Sequence, residues 1–285
     1  MDDLITYPNS PPIAQLPVEM LLHIFALLIH KRTPSLPDDT SLILSHVCRH
    51  WRAVAIGFDA LWTTISTSNK PEWTTLSLER SRSAPLDVFI LHHQNTDLQE
   101  RYHRVSWDMS RFESLNLAIR SWPDETDAFL RAQHDMLARL AACPAPLLRR
   151  LTISSSPDVE PLSTSLFAGA TPPNLRHLVL VLCAVPPGWH VFSAPLVHLE
   201  LNQCTFVHGD TREHLLNALS KLPTLETFVV DGISRFTEFV SGDINKVYLP
   251  NLTHLKICST IDIAATMLRC LSFPPNVHIE LRVGD

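Results

Sequence analysis

Glycine is scarce in this chain, with seven residues spread over 285. No two lie close enough to build a phosphate-cradling loop or a dinucleotide fingerprint. There is no G-x-S-x-G elbow either, so no constellation for nucleotide-dependent or hydrolytic chemistry is present. The six cysteines (Cys48, Cys143, Cys183, Cys204, Cys258 and Cys270) include no C-x-x-C pair and read as reduced, mostly buried thiols. The opening "MDDLITYPNSPP" lacks a basic region and an apolar run, so no secretory signal is expected. The longest apolar stretch, Met20–Ile29, is interrupted by His23 and falls far short of the ~20 residues that span a bilayer.

Excess positive charge is missing as well. The formal net charge is −6, which argues against nucleic acid or an anionic membrane as the main partner. The Arg-rich middle is balanced, since ten arginines between Leu76 and Arg150 meet ten Asp and Glu. His46 and His50 stand four apart on one expected helix, the spacing of a zinc-binding pair, but no third ligand lies at a suggestive interval. These absences lead us to expect an intracellular, cytoplasmic or nuclear protein that is not an enzyme, needs no cofactor and holds no metal.

With 45% hydrophobic and 18% charged residues, the chain is globular and long enough to bury a sizeable core. Its first part is helical. After Leu16-Pro17, the residues Val18, Leu21, Leu22, Phe25, Leu28 and Ile29 recur at helical spacing. They are too many for one core-facing stripe. A proline-bearing linker, His30–Thr40, leads to a second helix through "SLILSHVCRHWRAVA", and a short segment ends at Leu61 and Trp62.

Beyond that a repeat emerges. "PNLRHLVLVLCAV" (Pro173–Val185) and "APLVHLELNQCTF" (Ala194–Phe206) both fit L-x-x-L-x-L-x-x-N/C-x-L. "PLLRRLTI", "PTLETFVV" and "PNLTHLKI" share its strand core, and "RFESLNL" is an outlying copy. The first anchors (Leu148, Leu175, Leu196, Leu225, Leu252) are spaced by 27, 21, 29 and 27 residues, within the leucine-rich-repeat range. Helices are expected in "DAFLRAQHDMLARLAA", "GDTREHLLNALSKLP", where Asp210 and Glu213 suit a capping box, and "TIDIAATMLRCLSFP". The expected fold is α/β: N-terminal helices, then an irregular leucine-rich-repeat-like solenoid with short parallel strands. Cys183 and Cys204 would tuck under the turn that follows each strand.

The N-terminal segment resembles the F-box. The matching residues are "LPVEMLLHIF" (Leu16, Pro17, Glu19, Leu21, Ile24, Phe25), "VCRHWR" (Val47, Cys48, Arg49, Trp51, Arg52) and "LW" (Leu61, Trp62). The following "LERSRSAPLDVFI" is similar to the segment after the box in F-box families of mushroom-forming fungi. The resemblance implies a three-helix F-box over residues 12–66 and a substrate-binding repeat domain over 67–285. It also implies docking on the Skp1 adaptor of a cullin–RING ubiquitin ligase, which would explain the surplus apolar face. Leu16, Pro17, Leu21, Ile24, Val47, Cys48 and Trp51 would face Skp1, while Leu22 and Phe25 would hold the helices together.

The implied role is recruitment of a protein substrate to a Skp1–cullin–F-box ligase. The alternative is an interaction protein that binds Skp1 outside any ligase, or a bare repeat scaffold. In the repeat template, Val179, Glu200 and Lys256 point to the outward strand face and are the candidate substrate contacts. They are apolar, acidic and basic, and forecast no ligand class.

Overall fold

Apolar residues at helical spacing persist to Gly57 and then give way to alternation, and the structure follows that change. The computed structural model describes residues 12–30, 40–91, 109–119, 127–156, 162, 164–207, 211–233 and 246–284. The linker 31–39 and Asp210 lie outside them.

A short 3-10 turn, Pro12–Gln15, precedes α1 (Val18–His30), α2 (Thr40–His46) and α3 (Arg49–Gly57), and a second turn spans Asp59–Trp62. Pro17 sits one residue before α1, where its carbonyl accepts the N–H groups of Met20 and Leu21 at 3.1 Å. The sequence suggests one continuous helix through "SLILSHVCRHWRAVA", but the structure breaks it at Val47-Cys48. Cys48 is extended (φ −159°, ψ 175°), and its Sγ accepts the Trp51 N–H at 3.5 Å, capping α3. His46 and His50 therefore sit on different helices rather than one. The His50 Nε2 instead lies 3.0 Å from the Leu16 carbonyl oxygen.

Leu21, Phe25, Leu44, Trp51, Val54, Ala55, Leu61 and Trp62 form the bundle core. Helix α4 (Pro71–Arg80) links it to the rest: Trp73 and Leu76 pack on the bundle core, and Leu78 packs on the core under the sheet. Trp73 stacks on Trp62 with ring centroids 6.4 Å apart, and the Arg80 guanidinium lies 4.3 Å over the Trp62 ring.

Among the described residues, nine parallel strands form the main sheet. They are β1 (Thr64–Ser66), β2 (Leu86–Ile90), β3 (Phe112–Ala118), β4 (Arg150–Ser154), β5 (His177–Val181), β7 (His198–Asn202), β9 (Thr227–Asp231), β11 (His254–Ser259) and β13 (His278–Val283). Two short pairs accompany them, β6 (Ala184–Val185) with β8 (Thr205–Phe206) and β10 (Val247–Tyr248) with β12 (Leu271–Ser272). Each main strand adds beside its predecessor, so spatial order equals chain order. Strand β1 pairs with β2, and Ile65 joins the sheet core, so the chain enters the sheet just before residue 66.

The repeat anchors fall in direct register. Leu151, Leu178, Leu199, Phe228 and Leu255 make one buried row, and Ile153, Leu180, Leu201, Val230 and Ile257 make the next. The three expected helices are present as α5 (Asp127–Ala142), α6 (Thr211–Ser220) and α7 (Ile261–Cys270). Strands β5, β7 and β9 each end on a left-handed residue: Leu182 (φ 56°), Gln203 (φ 51°) and Gly232 (φ 59°). Cys183 and Cys204 follow two of these turns and are buried. The Cys183 Sγ lies 3.3 Å from the Val181 carbonyl oxygen, and the Cys204 Sγ lies 3.4 Å from that of Leu180.

Candidate functional site

Helix α1 carries two apolar faces. Leu21 and Phe25 are fully buried, whereas Met20, Ile24 and Leu27, at i, i+4 and i+7, line an adjacent side roughly 110° round the helix, with Ile24 half-buried at its border with the core. Met20 and Leu27 are each 51% exposed. Among the described residues, eight of the fourteen exposed large hydrophobic side chains lie between Ile13 and Ile56, including Val18, Ile43 and Val47. Exposed apolar side chains are thus concentrated on this bundle, which makes it a candidate docking surface.

The bundle is rigidly braced beneath that surface. The Trp51 indole N–H donates to the Ile13 carbonyl at 3.1 Å, and its ring meets Phe25 edge-on at 5.5 Å. The Trp62 indole N–H donates to the Ala55 carbonyl at 2.7 Å, and the Arg52 Nε–H donates to the Ser45 carbonyl at 2.8 Å. The second contact ties α2 to α3.

Of the residues that the F-box resemblance assigns to the adaptor face, Pro17 and Val47 are exposed. Leu16, Ile24 and Cys48 are half-buried and pack partly on the bundle core. Leu21 and Trp51 are core residues here, a correction to that expectation. Leu21 lies on the inward side of α1, and the Trp51 ring is held between Phe25 and the Ile13 carbonyl. The sequence reading passed over Met20, Leu27 and Ile43. The signal for the first two was present in their i, i+7 spacing around Ile24, which the inward stripe of the same helix obscured.

A second surface is the outward face of the sheet. Val179, Glu200 and Lys256 are brought into one row by the strand register, with Val229 between the last two. The Asn202 Nδ2–H donates to Glu200 Oε1 at 2.8 Å, and Lys256 Nζ pairs with Glu280 at 3.3 Å. The adjacent row runs Arg150, His177, His198, Thr227, His254 and His278. The His177 and His198 rings lie 5.9 Å apart, as do those of His254 and His278. Partial burial, then the neighbouring His198 and Arg150, push the His177 imidazole below its ordinary value.

Among the described residues, no group of three or more His, Cys, Asp and Glu side chains is placed to hold a metal ion. No described helix is long and apolar enough to cross a membrane. No curated protein matches the chain. Residues 13–68, which contain the whole braced bundle and β1, match the family model described as F-box-like, so the two-faced helix α1 belongs to an F-box-like domain.

Proposed function

We propose that this chain is the substrate-recruiting subunit of a Skp1–cullin–F-box ubiquitin ligase. The observation that carries the reading is the outward apolar face of α1, centred on Met20, Ile24 and Leu27, within the segment that matches the F-box-like family. An apolar patch on a braced bundle suits burial against an adaptor helix, where a few side chains supply most of the affinity. The contact set consists of that face together with Leu16, Pro17, Val47 and Cys48.

The sheet is the substrate-binding half. Strands in chain order with leucine anchors in register support a leucine-rich-repeat-like solenoid. Its outward face, including Val179, Glu200 and Lys256, holds a protein substrate. The chain performs no bond chemistry; it raises the effective concentration of a target lysine near the conjugating enzyme.

The test is binding of purified Skp1 to the wild-type chain and to a Met20→Glu/Leu27→Glu double variant. Both side chains are exposed, so the variant keeps its fold, which circular dichroism checks. The expected result is tight wild-type binding weakened by at least about tenfold in the variant, the loss of one hot spot. Undiminished binding by the variant removes this face from the interface. No binding by the folded wild type overturns the reading altogether.

A further inference from the structure

The last strand of the sheet differs from the others. In β13 the positions in register with buried Leu255 and Ile257 are Ile279 and Leu281, followed by Val283 opposite Ser259. Leu255 and Ile257 are buried, but Ile279, Leu281 and Val283 are 41%, 47% and 57% exposed. The apolar layer under the sheet thus continues to β13 and stays open there. Strand β13 pairs with β11 on one side, and among the described residues no strand pairs with its other edge. Open edges are usually blunted by proline, a bulge or an inward-pointing charge. The strand "HIELRV" has no proline, its register with β11 is unbroken, and its inward positions are all aliphatic.

We infer that this edge pairs with the same edge of a second copy of the chain, antiparallel and centred on Leu281. The strand is self-complementary in that register. A two-fold axis through the sheet keeps inward residues opposite inward residues, so Leu281 meets its own counterpart and Ile279 meets Val283. On the outward face, Glu280 meets Arg282 of the other copy, twice. Centring the axis one residue earlier sets Glu280 against Glu280 and Arg282 against His278, so like charges oppose and that register is disfavoured. Within one chain Glu280 already pairs with Arg282 at 2.7 Å and with Lys256 at 3.3 Å. Both cations hold its carboxyl below the ordinary value, although burial opposes them. The carboxylate is therefore charged and held on the outward face. Pairing joins the two sheets edge to edge and covers the open aliphatic row of each copy.

The test is sedimentation of the full chain over a concentration series, with light scattering for mass. The wild type is expected to dimerise reversibly. Leu281→Glu and Leu281→Lys each place like charges face to face on the two-fold axis. Both should be monomeric yet folded by circular dichroism, since Leu281 is half-exposed. Mixed one to one, the two variants should pair as a heterodimer, because the central position then holds opposite charges. A wild type that stays monomeric up to about 100 µM, a concentration that reveals even weak association, overturns the inference. So does dimerisation undisturbed in either variant, or failure of the mixed variants to pair, since each would place any contact away from Leu281.

Discussion

The Trp51 indole N–H donates to the Ile13 carbonyl at 3.1 Å, pinning the N-terminal turn across α3. His50 adds a second tether, with its Nε2 3.0 Å from the Leu16 carbonyl oxygen. One turn of α3 thus holds the stretch that leads into α1. Trp51→Phe keeps an aromatic ring against Phe25 but removes the donor, and should cost about 1 kcal/mol by denaturant titration. Amide exchange over residues 13–16 should rise in parallel. Unchanged exchange would mean that the Trp51 hydrogen bond does not hold the turn, leaving that to His50 and packing.

Gly232 takes a left-handed conformation (φ 59°) at the end of β9, stacked on Gln203 at the end of β7. A Cβ placed there would lie 3.1 Å from the Gln203 Cγ. Gly232→Ala therefore meets both a backbone penalty and a tight contact. It should destabilise the protein by about 1–2 kcal/mol, the cost of a left-handed residue with a Cβ. A denaturation midpoint equal to that of the wild type would rule out this turn geometry.

Much of this architecture was legible in the sequence. The 21-residue offset between Leu175 and Leu196 predicts that Leu178 and Leu199 lie side by side, and they do. Alternation needs only local sterics and burial, so it survives irregular spacing. The sequence through "VCRHWR" suggests an unbroken helix because a thiol is a weak capping signal, and only the extended Cys48 backbone reveals the break. Assignment of single residues to the adaptor face failed for Leu21 and Trp51 for a related reason. On an all-round apolar helix, periodicity shows that two faces exist without showing which one the rest of the fold covers. The side-by-side histidines required the register, because they come from separate repeats.

His177 faces His198 from β7 and Arg150 from β4, while Arg150 itself pairs with Asp87 at 3.0 Å, and Glu200 lies 3.5 Å from the His198 Nε2. Burial, His198 and Arg150 lower the His177 value, against a weaker opposing hydrogen bond with the Arg149 backbone. A base with a depressed folded value binds fewer protons than in the unfolded chain. Its contribution is complete above the unfolded value near 6.5 and is lost as pH falls through that value toward the folded one. The unfolding midpoint should therefore decline from pH 7.5 to 5.5. His177→Asn should flatten part of that slope. An identical slope in the variant would assign the decline to other groups.

Cys183, Cys204 and Cys270 are buried, while Cys48, Cys143 and Cys258 are half-buried. Cys183 is doubly protected. The neighbouring Cys204 thiol and then burial push it above the ordinary thiol range, and the alkylating species is the thiolate. Burial also raises Cys270. Native protein treated with iodoacetamide at pH 8 and mapped by mass spectrometry should label Cys48, Cys143 and Cys258 first. Cys183 should react only after denaturant opens the stack, at a midpoint matching global unfolding. Labelling of Cys183 well below that midpoint would show that the repeats around β5 and β7 open locally, and the sheet would then be a chain of separately melting units rather than one cooperative layer.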